Sequence, residues 1–263
     1  KYDAGKTNED YYGPVGWNKL GDDIDGEAGG DMSGWSVSLS NDGTIVAIGA
    51  TDNDGNGYNS GHVRVYQYSN TSWTKLGGDI DGEAVNDYSG YSVSLSSDGT
   101  IVAIGAYGNG NGSNLAGHVR IYQWRLFTSE DNVSEYNYED RTRDTNNSNP
   151  IIITTYDSNE EEWQQPESGN YYWTQLGQDI DGEVAYDRSG QSVSLSSDGT
   201  IVAIGAWGNN LNAGHVRVYQ YSSENNQWTQ LGDDIDGEAQ GDKSGNSISL
   251  SSDGTIFAIG AMY

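Results

Sequence analysis

The sequence contains no cysteine, only three prolines and two phenylalanines, and only 12 lysines and arginines in 263 residues. Without cysteine, the chain has neither disulfides nor a thiolate zinc site. Against those few basic residues stand 39 aspartates and glutamates, and the net charge of −27 excludes binding of nucleic acid or anionic lipid through basic patches. No run of 18 or more apolar residues is present, so no membrane insertion is expected.

The chain is built from an internal repeat with three recurring blocks. The block Ser-Val-Ser-Leu-Ser-x-Asp-Gly-Thr-Ile-Val-Ala-Ile-Gly-Ala occupies 36–50, 92–106 and 192–206, and recurs with small changes at 247–261. Gly-His-Val-Arg-(Val/Ile)-Tyr-Gln occupies 61–67, 117–123 and 214–220. The third block, Trp-x-(Lys/Gln)-Leu-Gly followed by Asp-Ile-Asp-Gly-Glu, begins at Trp17, Trp73, Trp173 and Trp228. The repeat therefore has a period of about 55 residues.

Each unit has the pattern of four short strands. In the first unit we predict strands over 36–40, 44–49, 62–68 and 72–77. The first alternates serine with apolar residues, an Asp-Gly turn follows it, and the second is apolar on both faces. Four-stranded units of this length without a helix predict an all-β fold, a β-propeller in a single domain over 1–263. A parallel β-solenoid is the alternative, although its coils are usually shorter.

The spacing between Trp73 and Trp173 is 100 residues, whereas the other spacings are 56 and 55. We therefore predict an insertion at 125–170, within the second unit. It is mostly polar, and it carries an apolar segment at 151–156 that we expect to pair as an extra strand, either within the insertion or with a neighbouring molecule.

The units resemble the FG-GAP repeat, the family that includes the propeller of integrin α-chains and many surface proteins of algae and marine bacteria. The glycine before strand one, the Asp-Gly turn, the Ile-Gly-Ala strand end and the Gly-x-Val-x-x-Tyr strand carry the resemblance. Two features differ: the first repeat has Ser33-Gly34 in place of Phe-Gly, and the calcium loop between strands one and two has shrunk to Ser-Asp-Gly-Thr. One carboxylate cannot supply the six to eight oxygens that Ca²⁺ takes.

The two ends of the repeat array are complementary. The sequence opens on a strand-four block, Trp17 to Leu20, and its last unit stops after a strand-two block that contains Ile256 and Ala258. We expect about four blades, with the N-terminal strand completing the last one. The pairing closes a ring within one chain, or joins protomers by strand donation into a filament.

Acidic loops supply candidate calcium ligands. The loop 52–57 resembles the first half of an EF-hand loop, with Asp52, Asp54 and Asn56, but Val63 stands where the final glutamate is required. The four Asp-Ile-Asp-Gly-Glu loops are further candidates, although Asp-Gly sequences also make ordinary turns. Their aspartates are Asp23, Asp25, Asp79, Asp81, Asp179, Asp181, Asp234 and Asp236. No cofactor other than Ca²⁺ is expected.

The three histidines, His62, His118 and His215, occupy the same repeat position. Equivalent positions lie on separate blades, so we interpret each histidine as structural. A catalytic site should break the repeat, and the residues that do so, Trp35 and Trp207 among them, form no nucleophile–base set. We therefore expect no enzymatic activity.

Four sequons are candidate glycosylation sites in exposed loops: Asn70, Asn111, Asn132 and Asn146.

Composition, repeats and resemblance together favour a structural or adhesion protein that is extracellular or on the cell surface. Its partners would be copies of itself in a glycosylated surface fibre, or other surface proteins and glycans. A lectin-like propeller, with Trp35 and Trp207 as candidate sugar platforms, is the first alternative. A polysaccharide-active enzyme is the second.

Overall fold

The structure is a computed structural model that describes residues 18–110, 115–131, 151–154, 156–157 and 162–262. It forms antiparallel sheets, each built from one sequence repeat. The first blade contains four consecutive strands and a short fifth that pairs with the third. These are β1 Ser33–Leu39, β2 Ile45–Ala50, β3 His62–Ser69, β4 Ser72–Lys75 and β5 Ile80–Asp81. The four strands predicted for this unit are therefore present.

The later repeats follow the same order. The second blade contains β6 Ser92–Leu95, β7 Ile101–Ala106, β8 His118–Leu126, β9 Ile152–Ile153, β12 Tyr171–Gln175 and β13 Ile180–Asp181, with a separate hairpin of β10 Tyr156–Asp157 and β11 Glu162–Trp163. The third contains β14 Ser192–Leu195, β15 Ile201–Ala206, β16 His215–Ser222, β17 Gln227–Gln230 and β18 Ile235–Asp236. The fourth has two strands among the described residues, β19 Ser247–Leu250 and β20 Phe257–Gly260.

The turn between the first two strands of a blade is fixed by its aspartate. In the first blade, Asp42 Oδ1 accepts hydrogen bonds from the Thr44 amide and hydroxyl and from the Ser40 hydroxyl. Gly43 follows in the left-handed region, at a φ of 71°. The same bonds recur at Asp98, Asp198 and Asp253. Ser-x-Asp-Gly-Thr therefore encodes a side-chain-capped hairpin turn.

The core lies between blades. One apolar cluster joins Ile45 and Val65 of the first blade to Leu95 and Trp173 of the second, and equivalent clusters follow between later blades. On β7 of the second blade, Ile101 and Ala103 lie in the cluster shared with the third blade, whereas Val102 and Ile104 lie in the cluster shared with the first. The apolar second strand thus contacts a neighbouring blade on each face, which explains its sequence.

The innermost strands of successive blades are joined by a repeated pair of serine hydrogen bonds. Ser36 Oγ donates to the Gly90 carbonyl, and Ser38 Oγ accepts from the Leu95 amide. The serines of β6 and β14 bond the next blade in the same way. Serine and apolar residues therefore alternate because one face of the strand bonds to the following blade while the other packs on the preceding one.

The insertion leaves the second blade at the end of β8 and returns at β12. Of its apolar segment, Ile152 and Ile153 form β9, which pairs with the outer edge of β12 and buries both side chains. The extra strand therefore pairs within its own chain. The insertion adds a fifth strand to the outside of this blade, and its Ile153 joins the apolar cluster between the first and second blades.

Helix is almost absent from the described residues. A single turn at Asn209–Asn212 is helical by hydrogen bonding, but Asn210 and Leu211 have positive φ angles within it. No helix in the described part of the chain is long and apolar enough to cross a membrane. The all-β propeller fold that the sequence predicts is confirmed.

Closure of the last blade involves Trp17, which lies outside the described residues, so it stays a prediction. Leu20 is described, and its carbonyl accepts a hydrogen bond from Trp73 Nε1 at 2.8 Å. The Leu76 carbonyl accepts from Trp173 in the same way at 2.9 Å. Leu20 therefore occupies, beside the first blade, the place of strand four of a preceding blade. Ile256 and Ala258, which lie on the opposite end of the array, are exposed.

Candidate functional site

The acidic loops fold back against the start of each third strand. In the first blade, β5 places Asp81 opposite His62 and Ile80 opposite Val63. Asp181 and Asp236 have the same relation to the later histidines. The apolar residue between the two aspartates packs inward, so the carboxylates are held at the rim of the blade beside the imidazole.

Each imidazole thereby meets carboxylates from two different loops. In the second blade, His118 Nδ1 lies 3.8 Å from Glu83 Oε2 and 3.9 Å from Asp179 Oδ2. Glu83 comes from the loop before β6, and Asp179 from the loop after β12. Four groups of these side chains have donor atoms that all lie within 4.8 Å of one another, and we call them the carboxylate–histidine clusters. They are Glu27–His62–Asp79, Glu83–His118–Asp179, Glu183–Asp187–His215 and His215–Asp234–Asp236.

Neighbouring side chains hold one oxygen of each carboxylate. In the second blade, Arg120 Nη1 lies 3.7 Å from Glu83 Oε1, and Gln175 Nε2 donates to Asp179 Oδ1 at 2.6 Å. The other oxygen of each carboxylate then faces His118. In the third blade, Arg217 and Gln230 orient the carboxylates of Glu183 and Asp234 in the same way. In the first blade, Arg64 and Lys75 have these roles toward Glu27 and Asp79.

The clusters differ in burial. Glu83 and His118 have side chains only 3% and 0% exposed, whereas the equivalent Glu27 and Glu183 are 44% and 45% exposed. Burial lowers the pKa of His62 and of His215, so both rings are neutral near pH 7.

Arg120 stays charged beside the second-blade cluster. Burial alone would lower the pKa of Arg120, but the surrounding acidic groups raise it above its ordinary value. The guanidinium therefore stays charged beside the buried Glu83 and within the electrostatic influence of the partly buried Asp179.

A second set of aspartates closes the acidic loops themselves. Asp87 Oδ2 accepts from the amides of Glu83 and Ala84, and Asp187 repeats this with Glu183 and Val184. Burial raises the pKa of Asp87, although these hydrogen bonds oppose the shift. The Asp that follows each Asp-Ile-Asp-Gly-Glu sequence is thus a loop cap.

The EF-hand-like loop directs its side chains to separate partners. Asp54 Oδ1 accepts from the Asn59 amide, Asp52 Oδ1 accepts from the Thr51 hydroxyl, and Asn56 Nδ2 donates to the Gly82 carbonyl. Neither Asp52 nor Asp54 belongs to a carboxylate–histidine cluster among the described residues. At the family's calcium position, Asp42 and its equivalents already accept three hydrogen bonds each, so this turn does not fit the ion. Calcium binding elsewhere stays a prediction.

The first acidic loop differs from the other three. Asp23 and Asp25 are exposed, and Asp23 makes an ion pair with Lys19 at 2.8 Å. Their repeat equivalents Asp79 and Asp81 face His62, but Asp23 and Asp25 are in no carboxylate–histidine cluster of the described residues. They stand where a preceding blade would supply the imidazole.

The candidate sugar platforms have different surroundings. Trp207 lies under two cations, with Arg188 Cζ 4.4 Å and Lys243 Nζ 5.1 Å from its ring centre. Trp35 is 52% exposed and packs against Tyr91, with 5.3 Å between ring centres. Trp35 is the more accessible of the two rings.

One predicted glycosylation site is described. Asn70 is exposed in the turn between β3 and β4, where its φ is 49°. The other three, Asn111, Asn132 and Asn146, lie outside the described residues. Whether Asn70 is glycosylated stays a prediction.

Sequence reasoning missed the joining of glutamate, histidine and aspartate in each repeat. It looked for histidines that converge on one another, whereas each histidine meets carboxylates of its own blade. The recurring signal was present, since Glu27 precedes His62 by the same 35 residues that separate Glu83 from His118.

Comparison with known proteins supports the repeat assignment. The family model of the FG-GAP repeat matches residues 23–66, which confirms the resemblance there. No curated protein sequence matches the chain.

Similar solved structures include Sqt1 from Chaetomium thermophilum, at a TM-score of 0.48 and 14% identity over 88% of this chain and 42% of that one. The periplasmic gluconolactonase PpgL of Pseudomonas aeruginosa gives a TM-score of 0.37 at 13% identity, over 85% of this chain and 64% of its own. Kuenenia stuttgartiensis hydrazine synthase gives a TM-score of 0.33 at 12% identity, over 93% of this chain and 59% of its own. The chain thus spans less than two thirds of each of these structures.

Proposed function

We propose that the chain is an extracellular structural protein whose blades stack end to end with copies of itself to form a fibre, and that it has no catalytic role. The supporting observation is an uncovered blade face at each end of the array. Val37 and Leu39 of β1 are 63% and 59% exposed, and Ile256 before β20 is 70% exposed. Inside the array, the equivalent Leu95, Leu195, Val193, Ile45 and Ile101 are only 7–9% exposed, and Val93 and Ile201 are partly buried against the adjacent blade.

The hydrogen-bonding groups of the two faces match. Inside the chain, each innermost strand donates a serine hydroxyl to a glycine carbonyl of the next blade and accepts a leucine amide in return. If the same series continues into a second copy, the Ser247 hydroxyl would donate to the Gly34 carbonyl of that copy. The Ser249 hydroxyl would accept from the Leu39 amide of the same copy. One copy would thus bond to the next through the contacts that already join its own blades.

The same docking would supply outer strands to the fourth blade. Leu20 already lies where strand four of a preceding blade ends. A copy that packs its first blade on the β19–β20 sheet would bring its segment 18–20 beside that two-stranded sheet. This is strand donation between protomers, in which an unpaired edge gains backbone hydrogen bonds.

An extracellular site for this assembly is supported by the FG-GAP match at 23–66 and by the exposed sequon at Asn70. Expression in a secreting eukaryotic host, followed by peptide-N-glycosidase treatment and mass spectrometry, tests the glycosylation. A mass loss at Asn70 is expected, and an unmodified Asn70 would contradict a glycosylated fibre.

The assembly itself is tested by electron microscopy and light scattering of purified protein. Fibres are expected for the wild type, and Leu39→Glu should abolish them because it places a charge in the proposed contact while leaving the monomer folded. Leu211→Glu is the matched control, since Leu211 is 71% exposed in a loop and should leave the fibres unchanged. A wild type that is monomeric at high concentration, or a Leu39→Glu variant that still forms fibres, would overturn the proposal.

A carbohydrate-binding propeller is the second candidate. Trp35, Tyr91 and Tyr107 form a continuous aromatic row, with ring centres 5.3 and 4.5 Å apart. Exposed aromatic rings can stack against sugar rings. A glycan array with the wild type and Trp35→Ala separates the two functions, because specific binding that is lost in the variant would favour the lectin.

A further inference from the structure

We propose that each complete blade holds a divalent first-row transition-metal ion between its histidine and the carboxylates of the two flanking acidic loops. The ligand sets are Glu27, His62 and Asp79 in the first blade, and Glu83, His118 and Asp179 in the second. In the third blade, His215 lies in two separate acidic groups, one with Glu183 and Asp187 and one with Asp234 and Asp236, and the ion would take one of them. This inference is independent of fibre formation.

The spacing of the donor atoms fits a bound ion better than direct hydrogen bonds. The Nδ1-to-oxygen distances are 3.6–3.9 Å, beyond hydrogen-bonding range, from His62 to Glu27, from His118 to Glu83 and Asp179, and from His215 to Asp234. Two ligands of a tetrahedral ion with bonds of about 2.0–2.1 Å lie about 3.4 Å apart. A contraction of a few tenths of an ångström at these contacts would therefore bring the donors onto one ion.

A buried imidazole points into the cluster without satisfying its own nitrogens. His62 is 1% exposed, and neither ring nitrogen has a hydrogen-bond partner among the described residues. Its Nδ1 is equally distant, at 3.9 Å, from Glu27 Oε2 and Asp81 Oδ1. Buried polar nitrogens of this kind are costly unless they are paired. A metal ion would satisfy the nitrogen that faces the carboxylates.

The second shell has the arrangement that metal sites require. Each glutamate is held through one oxygen by an arginine, and each aspartate through one oxygen by Lys75, Gln175 or Gln230. In the second blade the other oxygens of Glu83 and Asp179 lie 3.8 and 3.9 Å from His118 Nδ1. In the first blade the second oxygen of Glu27 lies 3.9 Å from His62 Nδ1 and also accepts from Asn53 Nδ2. Outer contacts that orient ligands in this way raise metal affinity by 10- to 100-fold in known sites.

The donor chemistry selects the type of ion. Calcium takes six to eight oxygens, and an imidazole nitrogen is a poor substitute for one of them. One imidazole with two carboxylates suits Mn²⁺, Fe²⁺, Co²⁺ or Zn²⁺. Because the ligands come from both flanking loops and from the third strand, the ion would fix the rim of the blade.

The experiment is equilibrium dialysis of the full chain against ZnCl₂ in excess CaCl₂, followed by elemental analysis. Up to three equivalents of Zn²⁺ are expected, together with a rise in the melting temperature. The His215→Gln variant should lose one equivalent of bound Zn²⁺. The triple variant that combines His62→Gln, His118→Gln and His215→Gln should lose all three. The control is the double variant Asp23→Asn, Glu238→Gln. Both acids lie outside the clusters, so their replacement should leave the Zn²⁺ stoichiometry unchanged.

A second probe avoids variants that fail to fold. Co²⁺ bound to the wild type should show the ligand-field absorption of a nitrogen-coordinated ion, and Zn²⁺ should displace it. Equal Zn²⁺ binding by the wild type and the His215→Gln variant, or Co²⁺ with only its aqueous spectrum, would overturn the proposal. Binding that Ca²⁺ abolishes would instead assign the sites to calcium.

Discussion

The same sequence is buried in the middle of the array and exposed at its start. In the block Ser-Val-Ser-Leu-Ser, Leu95 and Leu195 are each 7% exposed, whereas Leu39 is 59% exposed. Val193 and Val37 differ similarly, at 9% and 63%. The Ser-Val-Ser-Leu sequence and its pairing with the second strand are the same in all three blades. The difference shows that burial in a repeat is set by the neighbouring blade, so stability is largely a property of the interfaces between blades.

The largest expected effect comes from the tryptophan of the third block. Trp173 is fully buried against the preceding blade, and its indole donates to the Leu76 carbonyl, so Trp173→Ala should lower the free energy of unfolding by about 3–5 kcal/mol. Trp73, the equivalent residue on β4 of the first blade, is only partly buried, and Trp73→Ala should lower the free energy of unfolding by about 1–2 kcal/mol. Urea unfolding measures both.

Equal losses for Trp173→Ala and Trp73→Ala would contradict the comparison. They would show that the first blade is covered in solution as fully as the second. If the loss of stability in Trp73→Ala grows with protein concentration, the first blade is covered in solution by a second copy of the chain.

A glycine pair gives a smaller and more specific test. A Cβ added at Gly105 would lie 2.0 Å from the Gly190 carbonyl of the next blade, so Gly105→Ala must push two innermost strands apart. We expect a loss of about 1–3 kcal/mol, seen as a lower melting temperature. At Gly260, the equivalent position of the last blade, the added Cβ meets the Ser247 hydroxyl, which can rotate.

The Gly260→Ala variant is therefore expected to change the monomer by less than about 1 kcal/mol. In the proposed fibre, however, Gly260 would approach the Gly34 carbonyl of a second copy. Fibre formation should then fall while the melting temperature of the monomer stays the same. A large drop in that temperature would show that the last blade is already covered within one chain.

Much of the fold follows from the sequence, because its determinants are local. Strand alternation, the Asp-Gly-Thr turn and the repeat period predict the blades and their order. The Glu83–His118–Asp179 cluster does not follow, since it depends on the register between β13 and β8, which brings two loops together across a blade. The exposure of Leu39 does not follow either, because it depends on what packs against the first blade.

The smallest expected effect is the pH response of the capped turns. Hydrogen bonds from the Ser251 hydroxyl and from Thr255 lower the pKa of Asp253 to about 2. Because this pKa is below its unfolded value, the carboxylate stabilises the native state above about pH 4, and the contribution is lost as the pH falls toward 2. Asp198, in the same turn of the third blade, has its pKa lowered by the same kinds of bond.

The Asp253→Asn variant should therefore unfold at a lower temperature than the wild type at pH 7, with the difference shrinking as the pH falls from 4 to 2. Asp198→Asn should behave in the same way but with a smaller pH-dependent difference, because the hydrogen bonds lower the pKa of Asp253 further, to about 2. Melting curves by circular dichroism across this pH range measure both. A difference that is independent of pH would show that the turn is stabilised by backbone geometry rather than by the ionised carboxylate. A larger effect at Asp198 than at Asp253 would indicate that the bonds of its turn to the neighbouring turns, from the Ser97 amide and to the Ser252 carbonyl, set the size of the loss.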